Sequence, residues 1–170
     1  VAGASKGEGL GNKFLSHIRE TDAIAHVVRC FENDDVIHVS GRIDPMSDIE
    51  VINTELALAD IESVERALQK TEKQTRSGDK DALARVALLT IVMTSLGETG
   101  SVRSLDLDRE QKKQLKDLNL LTMKPVVYIA NVAEDGFEDN PLLESVREFA
   151  SGDMASVVPV CAAIESEVAQ

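Results

Sequence analysis

The sequence predicts an α/β fold in which a mostly parallel sheet is interrupted by an inserted antiparallel helical hairpin. Short apolar runs rich in β-branched residues, at 23–31, 126–130 and 156–163, have the pattern of buried parallel strands. Segments of helical periodicity alternate with them, which favours right-handed crossovers within one sheet. The stretch 47–123 shows helical periodicity alone, and this indicates a helical insertion.

The apolar run that ends at Ala130 is followed directly by polar residues, Asn131 and Glu134 among them. Ligands of open α/β sheets bind beyond the carboxyl ends of the strands. We therefore expect Asn131 and Glu134 to lie in a ligand-reading loop. A second loop is expected at the end of the last apolar run and consists of Cys161, Ala162 and Ala163.

Two long amphipathic segments predict the hairpin. The first begins near Pro45, with Ser47 as its N-cap and Glu50 completing a capping box. Ser-Gly-Asp at 77–79 ends it, and a second helix follows over 82–96. Two long helices joined by a tight polar turn form a coiled-coil-like antiparallel hairpin.

Shorter helices are predicted elsewhere, over 13–22, over 106–121 and from Asn140-Pro141 onward. A glycine-rich loop precedes the first of these. Such a loop either approaches a phosphate closely or serves only as a connection between elements. Its glycines are Gly3, Gly7, Gly9 and Gly11.

The charge of the chain is unevenly distributed. The 170 residues carry a net charge of −12, yet residues 64–118 hold 11 basic and 9 acidic side chains. A mildly basic segment on an acidic protein suggests a second surface with its own partner, although a solvated helical face of mixed charge has the same composition. We call six of its cations the basic arm: Arg66, Lys70, Lys73, Arg76, Lys80 and Arg85.

The two cysteines, Cys30 and Cys161, each lie inside an apolar run, which is typical of reduced core thiols in a cytoplasmic protein. No apolar run reaches 18 residues and no signal-peptide pattern is present, so we expect no membrane partner. The chain begins at Val1 and ends where another helix is opening. We therefore expect an internal fragment of a longer protein, and a monomer.

The loop after Ala130 departs from a known pattern in an informative way. P-loop GTPases of the translation-factor class carry Asn-Lys-x-Asp there, whereas this chain has Val132 in place of the Lys and Glu134 in place of the Asp. Long segments at 3–41, 44–68 and 128–141, the last of them YIANVAEDGFEDNP, resemble the Obg-like ATPases, a branch of the P-loop NTPases.

The resemblance implies a P-loop NTPase fold, similar to a G domain, that carries a coiled-coil insertion. It divides the chain into NTPase residues 1–46, a coiled-coil insertion over 47–123, and NTPase residues 124–170. It also implies binding and hydrolysis of ATP, with GTP as an alternative substrate, together with Mg²⁺ and the ribosome as partners in translation or stress regulation.

Carried over residue by residue, the resemblance places Asn131, Val132 and Glu134 along the nucleotide base. Cys161, Ala162 and Ala163 form the second base loop. The four glycines of the opening loop belong to switch II, and His38 assists hydrolysis. The Walker loop that holds the phosphates and Mg²⁺ is absent from this sequence, so the metal ligands are expected outside the chain and the chain alone is expected to lack ATPase activity.

Two other functions remain open at this level. The first is a ribosome- or RNA-docking helical module that acts through the basic arm without activity of its own. The second is a guanine-specific GTPase of the Obg type. Glu134 and Val132 disfavour the second, because the missing Asp is the main acceptor for the guanine N1–H and amino donors.

Overall fold

The computed structural model of the chain describes residues 11–32, 43–75 and 79–169. Several of the residues singled out above lie outside these ranges. They are Gly3, Gly7 and Gly9 of the glycine-rich loop, the proposed catalytic His38, and Arg76 of the basic arm.

The described residues form six α-helices and three strands, with three of the helices in succession between β1 and β2. The helices are α1 (Gly11–Arg19), α2 (Pro45–Thr75), α3 (Lys80–Thr99), α4 (Arg109–Leu115), α5 (Pro141–Gly152) and α6 (Ala162–Val168). The strands are β1 (Ile24–Arg29), β2 (Val126–Asn131) and β3 (Ser156–Val160). Two short 3₁₀ turns follow α4, at Lys116–Leu118 and Leu121–Met123.

The three strands form one parallel sheet in the order β1-β2-β3, so the predicted α/β fold with a parallel sheet is confirmed. Val27 of β1 pairs with Ile129 of β2, which in turn pairs with Val158 of β3. One face of the sheet packs against α5 and the first turns of α2. Its buried side chains include Val28, Tyr128, Ala130, Val146 and Ile49.

The chain divides into two compact units. Residues 1–22 and 52–124 form a helical unit, and residues 23–51 and 125–170 form a sheet unit. Helix α1, which the sequence analysis grouped with the NTPase residues, falls in the helical unit, where Arg19 donates to the Ala59 carbonyl at 3.0 Å. The three-part division at 46/47 and 123/124 stays a prediction.

Helix α2 begins earlier than its predicted N-cap. The Asp44 carboxylate accepts the Ser47 N–H at 3.1 Å and the Asp44 carbonyl accepts the Asp48 N–H, so Asp44 caps the helix. Ser47 as the N-cap was therefore wrong. Pro45 explains the difference, because its fixed φ suits the first helical position and places the cap one residue before it.

The helix predicted over 106–121 is shorter than expected. Asp108 and Gln111 close a capping box at its start, but α4 ends at Leu115. The chain then tightens into the 3₁₀ turn Lys116–Leu118, and Asn119, with φ of 46°, adopts the left-handed conformation, which ends the helical stretch. Leu120 and Leu121, which follow, are buried in the core.

Helices α2 and α3 share the apolar core of the helical unit. Ala57 and Val64 of α2 are buried with Leu88, Leu89 and Val92 of α3. Of the described helices, α3 alone has the length and hydropathy that a membrane-crossing helix requires, a requirement that core helices also meet. Gly100, with φ of 69°, ends α3 in the left-handed conformation favoured at this position.

A buried carboxylate joins α2 to the segment after α4. Asp60 is fully buried and accepts four hydrogen bonds: from the backbone N–H groups of Leu121 and Thr122 at 2.9 and 2.8 Å, from the Thr122 hydroxyl at 2.9 Å, and from Arg19 Nη1 at 3.3 Å. Burial raises the pKa of Asp60, and these donors partly oppose that rise. The carboxylate thereby positions Arg19 and the 120–122 turn together.

We expect Asp60→Asn to lower the free energy of unfolding by about 2–4 kcal/mol, since the new amide turns an N–H₂ toward groups that are themselves donors. Urea denaturation measures the change. Asp106→Asn, at an exposed position with the same loss of charge, is the matched control and should stay within about 0.5 kcal/mol of the parent. Equal stability of the two variants would show that the Asp60 network is not required.

Candidate functional site

The carboxyl ends of all three strands meet at one edge of the sheet. Arg29, Asn131 and Val160 are level with one another in the register. Backbone pairing continues one residue further, because Cys30 N donates to the Asn131 carbonyl at 2.7 Å and Val132 N donates to the Val160 carbonyl at 2.8 Å. The loop after β2 and the loop after β3 are therefore held side by side, as the sequence predicts for a ligand-binding edge.

The Asn131 side chain connects these two loops directly. Its Oδ1 accepts the Ala162 N–H at 3.0 Å. Cys161 precedes α6 and makes no side-chain cap, so the first N–H of α6 receives its acceptor from the neighbouring strand. Asn131 and Ala162, predicted as members of two separate loops, are thus in contact. The contact also occupies the Ala162 N–H.

Glu134 lies in a tight turn immediately beyond β2. The turn is closed by the Gly136 N–H donating to the Ala133 carbonyl at 3.0 Å, and the Glu134 side chain is exposed. A Cβ at Gly136 would lie 3.1 Å from the Ala133 nitrogen, so this position has little room for any other residue. The Glu134 carboxylate is therefore exposed, three residues after Asn131 in the chain.

Asn140, predicted from the sequence only as the start of a helix, fixes the other end of this loop. Its Nδ2 donates to the carbonyls of Cys30 and Gly136, both at 2.9 Å. Its Oδ1 accepts the N–H groups of Leu142 and Leu143 and so caps α5. One side chain thereby ties the end of β1, the Glu134 turn and α5 together. The Asn-Pro pair is the sequence signal that could have revealed it.

Of the other residues predicted in the two loops, two are buried and two are exposed. Val132 and Cys161 are only 2% and 3% exposed, and Val132 packs into the core of the sheet unit. Ala162 and Ala163 are exposed. A ligand at this edge would therefore meet Glu134 and the alanines at the surface, with Val132 and Cys161 supporting them from below.

Two titratable groups of the sheet unit are held uncharged by burial. Burial raises the pKa of the Cys30 thiol to about 11, which makes it a poor nucleophile at neutral pH. Burial lowers the pKa of His26, which lies beside Tyr128 with a ring separation of 5.5 Å, and the charge of Asp48 partly opposes that shift. Both groups are structural members of the sheet.

The loop from 131 to 140 is acidic, with four carboxylates and no basic residue: Glu134, Asp135, Glu138 and Asp139. Such a loop disfavours the phosphate end of a nucleotide, since like charges repel at short range. The uncharged base of a nucleotide is therefore the part that this edge of the sheet can accommodate. Within the described ranges, no group of three or more His, Cys, Asp or Glu side chains is arranged to hold a metal ion, so no described residue is assigned to Mg²⁺.

The described members of the basic arm, together with Gly11, lie in the helical unit. Gly11 begins α1, and Lys73 and Lys80 are exposed on α2 and α3. Arg66 pairs with Glu62 at 2.5 Å, and Arg85 pairs with both carboxylate oxygens of Asp117.

We expect Asn131→Ala to leave the Ala162 N–H without its acceptor and to cost about 1 kcal/mol of stability, as loss of a helix cap does. Amide exchange at Ala162, followed by NMR, should accelerate. Asn131→Asp keeps the acceptor oxygen and is the matched control, with exchange close to the parent. An unchanged Ala162 exchange rate in Asn131→Ala would contradict the role assigned to this side chain.

Comparisons with known proteins bear on the whole chain. No family model matches it. All 170 residues align with the ribosome-binding ATPase YchF of Haemophilus influenzae at 60% identity, and the chain is 50% identical to the protein of the same name from Bacillus subtilis. The chain spans about half the length of these curated relatives, 47% in each case.

A solved structure agrees with the sequence comparisons. The structure of the Schizosaccharomyces pombe YchF GTPase superposes with a TM-score of 0.83 at 34% identity, covering 94% of this chain and 45% of that one. The α/β fold with a parallel sheet and the predicted resemblance to the Obg-like ATPases are therefore confirmed, whereas the coiled-coil hairpin insertion stays a prediction. The curated relatives are named as ATPases, whereas the protein of the solved structure is named as a GTPase.

Proposed function

We propose that this chain, homologous along its whole length to a segment of the YchF proteins, forms the base-reading part of the nucleotide site in a ribosome-binding P-loop ATPase. The hydrogen bond from the Ala162 N–H to Asn131 Oδ1 carries the proposal. It joins the two loops that the resemblance assigns to the base, and it does so at the carboxyl edge of a parallel sheet, where such ligands bind.

The preference for adenine or guanine depends on the hydrogen-bonding groups at the carboxyl edge of the sheet. Guanine presents N1–H and amino donors, and a GTPase of the translation-factor class accepts them with Asp in a fixed position. Here the carboxylate is the longer Glu134, exposed at the top of its turn, and the position before Ala133 is the buried Val132 in place of a Lys. These residues remove the main guanine preference, so we propose that ATP binds at least as well as GTP.

The phosphate end of the nucleotide belongs, in this proposal, to residues outside the two base loops. We assign the glycines of the opening loop to switch II and His38 to the positioning of water. The Walker loop and the Mg²⁺ ligands are contributed from outside this chain, and the metal supplies charge stabilisation during phosphoryl transfer. The chain alone therefore has no ATPase activity.

Helices α2 and α3 form the inserted coiled-coil hairpin in this proposal, and their basic arm docks on the ribosome. The protein is then a cytoplasmic monomer that regulates translation. A second function, a docking module without catalysis, is favoured by one observation: residues 64–118 hold 11 basic and 9 acidic side chains, whereas the loop at 131–140 holds four carboxylates and no basic residue. A guanine-specific GTPase is the third alternative.

Competition between ATP and GTP for the full-length protein tests the assignment. We expect ATP to bind as tightly as GTP or more tightly, and Glu134→Asp to move the affinity ratio toward GTP by about tenfold, or about 1.4 kcal/mol. Glu138→Asp, an exposed carboxylate in the same loop, is the control and should leave the ratio unchanged. A strong GTP preference in the parent protein would overturn the ATPase assignment.

A further inference from the structure

Helix α1 has little apolar packing to hold it in place. Among its described side chains only Leu15 is buried, and Phe14 is exposed. Isolated helices shorter than about 12 residues are marginal in water, and α1 has nine residues. The position of α1 within the helical unit therefore depends on polar contacts, and these lie at its carboxyl end, around Arg19.

The Arg19 guanidinium is the centre of these contacts. Its Nη2 donates to the Ala59 carbonyl at 3.0 Å and to the Ser63 hydroxyl at 3.1 Å, both on α2. Its Nη1 donates to the buried Asp60 carboxylate and to the Asn119 carbonyl, both at 3.3 Å. The Arg19 side chain is only 23% exposed, so solvent screens these bonds weakly. One side chain thereby joins α1 to α2 and to the segment after α4.

The main chain at the end of α1 is held within the same unit. Lys124 Nζ donates to the carbonyl of Arg19, at 3.0 Å, and to the carbonyl of Thr21. The last carbonyls of a helix need such partners, and the helix dipole favours a cation at this end. The carboxyl end of α1 is thus attached to the helical unit through both its backbone and the Arg19 side chain.

Asp60 depends less on Arg19 than α1 does. The carboxylate also accepts the N–H groups of Leu121 and Thr122 and the Thr122 hydroxyl. Burial raises the pKa of Asp60, and the hydrogen bonds from Thr122 and Leu121 oppose this rise more than the charge of Arg19 does. The main contribution of Arg19 to this network is therefore the attachment of α1.

The position of α1 bears on catalysis through its first residue. Gly11 begins the helix and is the last glycine of the loop that we assign to switch II. A nine-residue helix is about 13 Å long and behaves as a short rod, so a tilt at Arg19 displaces Gly11. Phosphoryl transfer depends mainly on positioning and electrostatics, and a displacement of about 1 Å can cost about 100-fold in rate.

We propose that Arg19 is a positioning residue for ATP hydrolysis. By attaching α1 to Asp60 and to α2, it holds the end of the glycine-rich loop where that loop serves the phosphate end of the nucleotide. The proposal rests on the switch II assignment made under the proposed function. Within the described residues, Arg19 donates only to groups of the helical unit, so its loss should change hydrolysis while the base loops still bind ATP.

Steady-state ATPase kinetics of the full-length protein test the proposal. Arg19→Gln should lower kcat about tenfold or more, while KM for ATP and Kd for a non-hydrolysable ATP analogue stay within about twofold of the parent. Arg19→Lys keeps the charge and should give an intermediate kcat. Arg147→Gln, the same substitution at an exposed ion pair on α5, is the matched control and should keep the parent kcat. A parent-like kcat in Arg19→Gln would overturn the proposal.

Hydrogen–deuterium exchange distinguishes positioning from a merely structural role. In the parent, saturating ATP should slow exchange over 12–19 in α1 and over 56–63 in α2, since Arg19 joins the two helices. In Arg19→Gln, and to a smaller extent in Arg19→Lys, the effect of ATP over 56–63 should be lost. An equal effect of ATP over 56–63 in the parent and in Arg19→Gln would contradict the proposal. Exchange over 131–136 reports on the base loop alone, so failure of the proposed nucleotide site is recognised separately.

Discussion

The parallel register of the three strands is the constraint on which the site depends. Pairing of Cys30 with Asn131, and of Val132 with Val160, fixes where each strand ends relative to its neighbours. A slip of one residue would turn Asn131 to the opposite face of the sheet, and its bond to Ala162 would be lost. The chemistry at the edge follows from this register, because both loops are short and start directly at the strand ends.

Two amide side chains at the edge of the sheet hold the loops that follow the strands in defined positions. Asn131 accepts a hydrogen bond from the first residue of the helix after β3, and Asn140 donates hydrogen bonds to the turn before α5 and to the residue after β1. Amides suit this purpose because each carries both an acceptor and donors. The edge thereby gains rigid support from neutral groups, and the carboxylates of the loop remain exposed for contact with a ligand. In the helical unit, Asp60 has a comparable joining role with a buried charge.

The hydrophobic periodicity of the sequence was sufficient to predict the strands and most helices, because each buries one face or stripe of apolar side chains. It was insufficient where a polar side chain has a structural role on a buried face. Asp60 lies one turn from Leu56 and from Val64 on the buried side of α2, and no pattern indicates that its partners come from Leu121 and Thr122. The Asp44 cap of α2 and the end of the helical stretch at 118 were missed because local backbone conformation, set by Pro45 and Asn119, overrides side-chain periodicity.

The central claim is that the loops after β2 and β3 jointly contact the nucleotide base. Hydrogen–deuterium exchange of the full-length protein, with and without ATP at saturating concentration, tests it most directly. The account predicts slower exchange on ATP binding in peptides covering 131–136 and 161–164, with no change over 24–28 in the core of β1. Saturation with ATP that leaves both loops unprotected would contradict it.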